Sequence, residues 1–251
     1  MGLGDWIMAT SQVREINERT GQRVVVVDRL NRPKWSEAFK NNPRMTRVHD
    51  DDAFRLLNAG GSRPYIRAKT DRNWVWRRWD IKPGEIFISD IEREFGRPYD
   101  NKIVIEPNTK DPQSNKAWFY DRWQALVERF PQGTFVQLGP DGSRRLHGVT
   151  FVPTTVRQAF GVLAAARAFV GTEGALHHAA AALNVPSVVL WSEFISPTFT
   201  GYQNQVNLRH AGEPCGMRIP CPSCRASMEA ISVDEVYNAL KEVVWPSQKT
   251  L

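Results

Sequence analysis

The chain has 251 residues and a formal net charge of +6; 41% of it is hydrophobic, 10% aromatic and 24% charged. Apolar and aromatic content at this level excludes a disordered chain, and three cysteines are too few for a disulfide scaffold of this length. No apolar run reaches the roughly 18 residues of a membrane span. The length fits one large or two small domains. The opening MGLGDWIMAT has no basic n-region and no apolar core, so no signal peptide is expected and the default compartment is the cytoplasm, with reduced thiols.

In chain order, residues 7–19 read as a helix, opened by Gly4-Asp5 and closed near Gly21. Val24–Val27 is β-branched without alternation, as in a buried parallel strand. Residues 50–97 are rich in Gly, Pro, Arg and Trp and resist assignment. Gly96-Arg97-Pro98 breaks structure before a strand at 102–105, which places a boundary near residue 100. A helix at 118–130 follows, then strands at 134–138 and 148–152, and a helix at 156–168. A short strand at 169–170 ends at Gly171, and an Ala-rich helix covers 176–183. Ser187–Trp191 is the next strand, and Ser232 caps a last helix over Val233–Val244. The alternation predicts an α/β fold of parallel sheets covered by helices. Two halves are expected, residues 1–100 and 101–251, with the default site in the cleft between them.

The positive charge favours anionic partners: nucleic acid, phosphorylated sugars or a lipid head-group surface. It is concentrated. Between Arg55 and Lys82 eight basic residues face two acidic ones, so 28 residues carry as much net charge as the whole chain. Arg predominates there, which suits planar, bidentate contacts to phosphate or carboxylate. Trp74, Trp76 and Trp79 are interleaved with Arg72, Arg77 and Arg78. That pattern serves either as a clamp for phosphates with stacking rings or as a small aromatic core.

Four motifs carry the candidate chemistry. Gly2-Leu3-Gly4-Asp5 brings a carboxylate and close-approaching backbone to a helix start; Asp5 is otherwise a plain cap. Asn108 and Thr109, then Asn115 and Lys116, lie on a loop leaving a strand, the usual place for ligands in open α/β sheets. Lys116 there is placed to neutralise a diphosphate. Thr172-Glu173-Gly174-Ala175, followed by Leu176-His177-His178 and four Ala, ends a strand on an acid and starts a helix of small residues. The turn offers N–H groups for phosphate and a carboxylate for ribose hydroxyls. His177 and His178, adjacent on a helix, point apart and make a poor chelate. Finally, Cys221 and Cys224 form a CxxC that Cys215 and His210 complete to four zinc ligands; reduced structural thiols or one disulfide are the alternatives.

In this order, the motifs resemble family 9 glycosyltransferases, the ADP-heptose:lipopolysaccharide heptosyltransferase-like group. GLGDWIMAT looks like that family's glycine–Asp motif, Asn115-Lys116-Ala117-Trp118 like its donor-phosphate loop, and the run from Glu173 to Leu183 like its acid-x-Gly-x-x-His-x-Ala-Ala-Ala signature. The segment 192–202 and the CxxC are similar to a compact, phage-like branch. The resemblance implies the GT-B fold: two Rossmann-like domains flanking a cleft, here with a reduced N-terminal domain, the first binding acceptor and the second nucleotide-sugar. It implies inverting transfer without a required metal. Asp5 would be the base, Lys116 would stabilise the leaving diphosphate, and Glu173 would hold the ribose. Gly174, Ala175 and His178 would lie near the phosphates, with Gly139, Ser196 and Thr198 lining the donor site. Gly4, Arg72, Trp74, Arg77 and Arg78 would face the acceptor. Glu173 stands where the family usually has Asp, and Ala175 where it has Gly, which would shift donor preference. The family's first strand precedes the glycine motif; here either the start is trimmed or that strand is lacking. The chain is also shorter than expected for the family, the loss falling in the acceptor half.

The leading expectation is therefore a glycosyltransferase that uses an ADP-heptose-like donor and an anionic acceptor such as lipopolysaccharide core. A phage-type enzyme that glycosylates a modified DNA base is the alternative acceptor reading. A non-catalytic nucleotide-binding module is the alternative class. No cofactor is expected for transfer, and structural zinc is the one metal expected.

Overall fold

The computed structural model describes residues 2–48, 52–59, 62–110, 114–210 and 212–246. Helix α1 (Leu3–Thr20) opens the chain and ends at Gly21, whose φ of 71° lets the backbone reverse and return an N–H to the Asn17 carbonyl. Strand β1 (Val24–Val27) is fully buried and pairs in parallel with β2 (Phe54–Leu57), which alternates half-buried and exposed residues. Strands β3 (Ile66–Lys69) and β4 (Trp74–Trp76) form an antiparallel hairpin. Helix α2 (Asp90–Gly96) starts on a reciprocal cap between Ser89 and Glu92.

From β5 (Ile103–Glu106) onward the chain winds a single parallel sheet. Helix α3 (Tyr120–Glu128) leads to β6 (Phe135–Gly139) and β7 (Thr150–Pro153). Helix α4 (Val156–Ala165), β8 (Ala168–Thr172), α5 (Ala175–Ala182) and β9 (Ser187–Trp191) follow. The chain closes with α6 (Pro197–Thr200), β10 (Gln205–Arg209), α7 (Pro222–Ala230) and α8 (Val233–Val244). The sheet order is β10-β9-β8-β5-β6-β7. Counted from β5, this is the doubly wound mononucleotide-binding order, whose direction reverses between β5 and β8. The crevice beyond the carboxyl ends of those two strands is the topological switch point.

Both faces of the central strands are covered, so β5, β8 and β9 are largely apolar runs. On one face Val104, Val136 and Phe169 pack with α4 and α5, and the same core takes in Ile7 and Val13 of α1 and Val24 of β1. On the other, Ile103, Ile105 and Val170 pack with Trp123 and Leu126 of α3 and Leu240 of α8. The first hundred residues thus share a core with the sheet of the second half. A buried ion pair ties the halves further. Arg157 of α4 donates from Nε to Glu92 Oε1 at 2.7 Å and from Nη2 to Oε2 at 2.5 Å, and also bonds the Phe87 and Glu37 carbonyls.

Most predicted elements appear within two or three residues of their expected bounds. The unassigned stretch holds β2, β3, β4 and α2, and sequence reading also missed α6, β10 and α7. These are short, and three of the four missed strands are half exposed, which removes the apolar run that marks a buried strand. Among the described residues, no helix is long and apolar enough to cross a membrane.

Candidate functional site

The switch point is lined by charge. Glu173, which follows β8, is held by its own N–H to the Leu190 carbonyl at 3.2 Å, and its carboxylate pairs with the Lys116 ammonium from the loop after β5. Burial opposes the charge on Glu173, but Lys116, with His178 close by, more than offsets it and holds the carboxyl well below the usual range. The expected Lys116 and Glu173 are therefore brought together. Thr172 lies buried at the end of β8.

The two histidines stand side by side, ring centroids 3.8 Å apart, rather than pointing apart as helix geometry suggests. Both rings are engaged. The Gly174 N–H donates to His177 Nδ1 at 3.0 Å, and His177 Nε2 donates to the Thr200 carbonyl at 3.1 Å. Burial, foremost, pushes its pKa down to about 3, so the ring is neutral. His178 Nδ1 meets the Tyr202 hydroxyl at 2.8 Å, and its Nε2 lies 3.8 Å from Glu173. Because Gly174 spends its N–H on His177, the N–H groups offered to a phosphate begin at Ala175 in the first turn of α5.

Helix α1 delivers Asp5 to the same place. A Cβ on Gly4 would lie 2.6 Å from His178 Cδ2 and 3.6 Å from Ala175 Cα, so only glycine allows the first turn of α1 to rest on α5. Asp5 Oδ2 accepts the Gly2 N–H at 2.9 Å. Its Oδ1 accepts the Tyr65 hydroxyl and lies 2.9 Å from Arg63 Nη1. Asn58 Nδ2 donates to the Asp5 carbonyl at 3.3 Å. Burial and then the Asp5 charge push the Tyr65 hydroxyl pKa well up, so it stays a donor. Asn58, Arg63 and Tyr65 were missed from sequence. They lie more than fifty positions from Asp5, in the unassigned stretch, and no local pattern links them.

The hairpin contributes less chemistry than its composition suggested. The Trp76 indole donates to the Phe194 carbonyl at 3.0 Å and that of Trp79 to the Phe199 carbonyl at 2.7 Å, so both rings fasten the hairpin to the segment after β9. Trp74 borders a cavity of about 300 Å³ that also touches Asn115, Lys116, Phe194, Met217 and Arg218. Arg72, Arg77 and Arg78 are exposed, and the Arg77 Nε donates to the Pro64 carbonyl at 2.8 Å. A larger cavity of about 730 Å³ lies against the loop after β5, lined by Asn108, Thr109, Phe119, Tyr120, Arg144 and Cys221. Asn108 Nδ2 donates to the Arg144 carbonyl at 2.9 Å. Gly139 closes β6, its carbonyl accepting the Thr154 N–H. Ser196 caps α6 and bonds Thr198, so these two serve each other.

Asn115 is likewise committed. Its Nδ2 donates to the Met217 and Ile219 carbonyls, both at 2.8 Å, and its Oδ1 accepts the Cys221 N–H at 2.9 Å. It braces the cysteine loop and also lines the cavity beside Trp74. That loop is also fastened to the hairpin: the Trp74 N–H donates to the Gly216 carbonyl at 2.9 Å and the Arg218 N–H to the Arg72 carbonyl at 2.9 Å. Gly216 adopts a φ of +62°, and a Cβ there would meet the Trp74 carbonyl. Cys215 Sγ lies 3.8 Å from Cys221 Sγ and 3.3 Å from Cys224 Sγ, and all three thiols are free. The expected fourth ligand is elsewhere. His210 Nε2 meets Glu235 Oε2 at 2.8 Å, and the sulfur cluster does not include it. His210 sits at the end of β10 opposite α8, whereas the sulfurs gather at the start of α7.

No protein-family model and no curated protein sequence matches this chain. Solved structures do. A family 9 glycosyl transferase from Veillonella parvula superposes with a TM-score of 0.66 at 12% identity, covering 98% of this chain and 95% of that one. Escherichia coli ADP-heptose lps heptosyltransferase II gives 0.59 at 16% identity, over 97% and 96% of the two chains. The iron-containing dodecameric glycosyltransferase TibC of enterotoxigenic E. coli gives 0.62 at 12% identity, over 97% and 76%. The chain has the fold of these glycosyltransferases, the GT-B type that the sequence motifs implied.

Proposed function

We propose that this protein transfers a sugar from a nucleotide-diphosphate sugar, ADP-heptose-like, to a hydroxyl of an anionic acceptor, with inversion at the anomeric carbon. The observation that carries the reading is the Lys116–Glu173 pair at the switch point, placed beside Asp5 by the contact between Gly4 and His178. The sheet order supports a nucleotide there. The acceptor oxygen attacks the anomeric carbon from the side opposite the leaving group. The new C–O bond forms as the bond to the diphosphate oxygen breaks, and the hydroxyl proton passes to Asp5. Arg63 and Tyr65 fix the carboxylate of Asp5 for that task. The Lys116 ammonium, released from Glu173, and the first turn of α5 meet the charge on the departing diphosphate. Glu173 then takes the ribose hydroxyls. These protein groups fill the role that a divalent cation would otherwise play at the reacting centre.

Residues 101–251 are the donor half in this reading and residues 1–100 the acceptor half, with Trp74 at their meeting. Two of the three hairpin indoles are spent on packing, which removes the row of stacking platforms a nucleic-acid strand would use and favours a glycan such as lipopolysaccharide core. We assign the three thiolates to a structural metal of the zinc type. Sulfurs 3.3 and 3.8 Å apart are close to the edge of about 3.8 Å expected for a tetrahedron of about 2.3 Å metal–sulfur bonds. The fourth position is left to a group outside the cluster, and no step of transfer passes through the metal.

The test is a transfer assay with ADP-activated sugars and lipopolysaccharide-core acceptors, run on the wild type and Asp5→Asn. Transfer by the wild type alone, with nucleotide binding kept by the variant, is expected. Equal rates would remove Asp5 from the role of base. Nucleotide binding without transfer in the wild type would leave a binding module.

A further inference from the structure

The donor crevice holds a second carboxyl that the roles above leave unused. Glu106 is the last residue of β5, in register with Gly171 of β8. Its side chain runs beneath the β8–α5 turn. A Cβ on Gly171 would lie 3.2 Å from Glu106 Cβ, and Glu106 Oε2 lies 3.9 Å from the Cβ position of Gly174. The carboxyl therefore sits between the loop that begins at Pro107 and the first turn of α5, where the proposed reading puts the diphosphate. The charged group that acts on it is Glu173 of the β8–α5 segment, which is itself paired with Lys116 and neighboured by His177 and His178. Lys116 is paired with Glu173, Asp5 is held by Arg63, and His177 is neutral. No hydrogen bond or ion pair reaches the Glu106 carboxyl among the described residues.

We infer that Glu106 acts as a protonated acid whose O–H donates a hydrogen bond to a diphosphate oxygen of the donor. The inference rests on the nucleotide-sugar reading of this crevice. Two neighbouring carboxyls in a confined site, only one of them paired with an ammonium, do not both ionise. Burial, and then the Glu173 charge, push Glu106 up to about 8, so Glu173 takes the charge and Glu106 the proton. A neutral carboxylic acid is a hydrogen-bond donor, whereas its anion only accepts and repels phosphate. The nearby negative charge of a bound diphosphate favours the protonated form further, so binding above about pH 8 takes up a proton.

The experiment is titration calorimetry with whichever of ADP, UDP, GDP and CDP raises the melting temperature most, between about pH 7.5 and pH 9.5, where its phosphates no longer titrate. Wild-type affinity is expected to fall by roughly tenfold per pH unit above about 8. Glu106→Gln keeps an N–H donor and cannot ionise, so its affinity stays flat over the range. Glu106→Ala is weak and flat throughout. Thermal melting of both variants without ligand checks that they fold. A pH-independent wild-type affinity, or a parallel loss in Glu106→Gln, overturns the assignment of Glu106 alone. No nucleotide binding to the wild type at any pH overturns the donor-site reading, and this inference with it.

Discussion

The two walls of the crevice are built differently. The wall assigned to the donor is made of strand ends of the central parallel sheet, and its charged groups are positioned by the backbone that carries the core: Glu106 ends β5, and Glu173 follows β8. The wall assigned to the acceptor is a three-residue strand and its hairpin partner, held by backbone hydrogen bonds to the loop that joins the three clustered thiols. A wall drawn from the core keeps its geometry while the core is folded. A wall hung on a loop changes with whatever fixes that loop. In the proposed reading donor recognition is therefore the robust part and acceptor recognition the part open to variation.

Substitutions separate the walls. The largest effect on catalysis is expected at their junction: Asp5→Asn lowers kcat by about 10² to 10⁴ while nucleotide affinity stays within a few fold, read by transfer kinetics beside calorimetry. Next comes the tie between the halves. Arg157→Ala leaves Glu92 buried without its partner and costs about 3–5 kcal/mol of unfolding free energy, measured by denaturant melting. Here the pH dependence has a definite sign. Glu92 is ordinarily near 4.5; burial raises it, but Arg157 and the Ser89 N–H bring it to about 2 in the fold. The stabilisation is thus complete above about pH 4.5 and is lost as pH falls toward 2, and Arg157→Ala flattens that slope.

Cys224→Ser tests the hung wall. Metal content is expected to fall from about one equivalent per chain to less than a tenth, by elemental analysis of protein purified without added metal. The acceptor KM rises in the same variant while donor affinity holds; a parallel loss of both would show that the two walls are not independent. The smallest effect is expected at the rim. Arg78→Ala, at an exposed position, raises the acceptor KM only a few fold, and less at high salt, because solvent and ions screen such charges.

The same contrast governs how far the amino-acid sequence can be read. The valines of β1 and the apolar runs of β5, β8 and β9 announce buried parallel strands. Glu173 and its Ala-rich helix are contiguous in sequence, so the β8–α5 turn is visible before any fold is known. Lys116 is visible through its place after a strand. The surroundings of Asp5 are not: Arg63, Tyr65 and Asn58 meet it only through tertiary packing, across an irregular segment whose strands are short and half exposed. His210 shows the converse error. It lies near Cys215 in sequence, yet chain direction carries it to Glu235. Asn115 reads as a ligand-binding amide because of its loop, but its three hydrogen bonds go to backbone. Glu106 follows the strand expected at 102–105, and only its position beneath Gly174 distinguishes it from an ordinary strand-end acid.

In the proposed reading the switch point binds a nucleoside diphosphate through Lys116 and Glu173. A thermal-shift comparison of ADP, UDP, GDP and CDP, with wild type and Glu173→Ala in parallel, tests it most directly. One nucleotide at about 100 times its dissociation constant should stabilise the wild type by roughly 2.7 kcal/mol, about 5–10 °C for a chain of this size, and leave the variant unmoved. If no nucleotide shifts the wild type, or the variant shifts equally, the donor site is not where this account puts it.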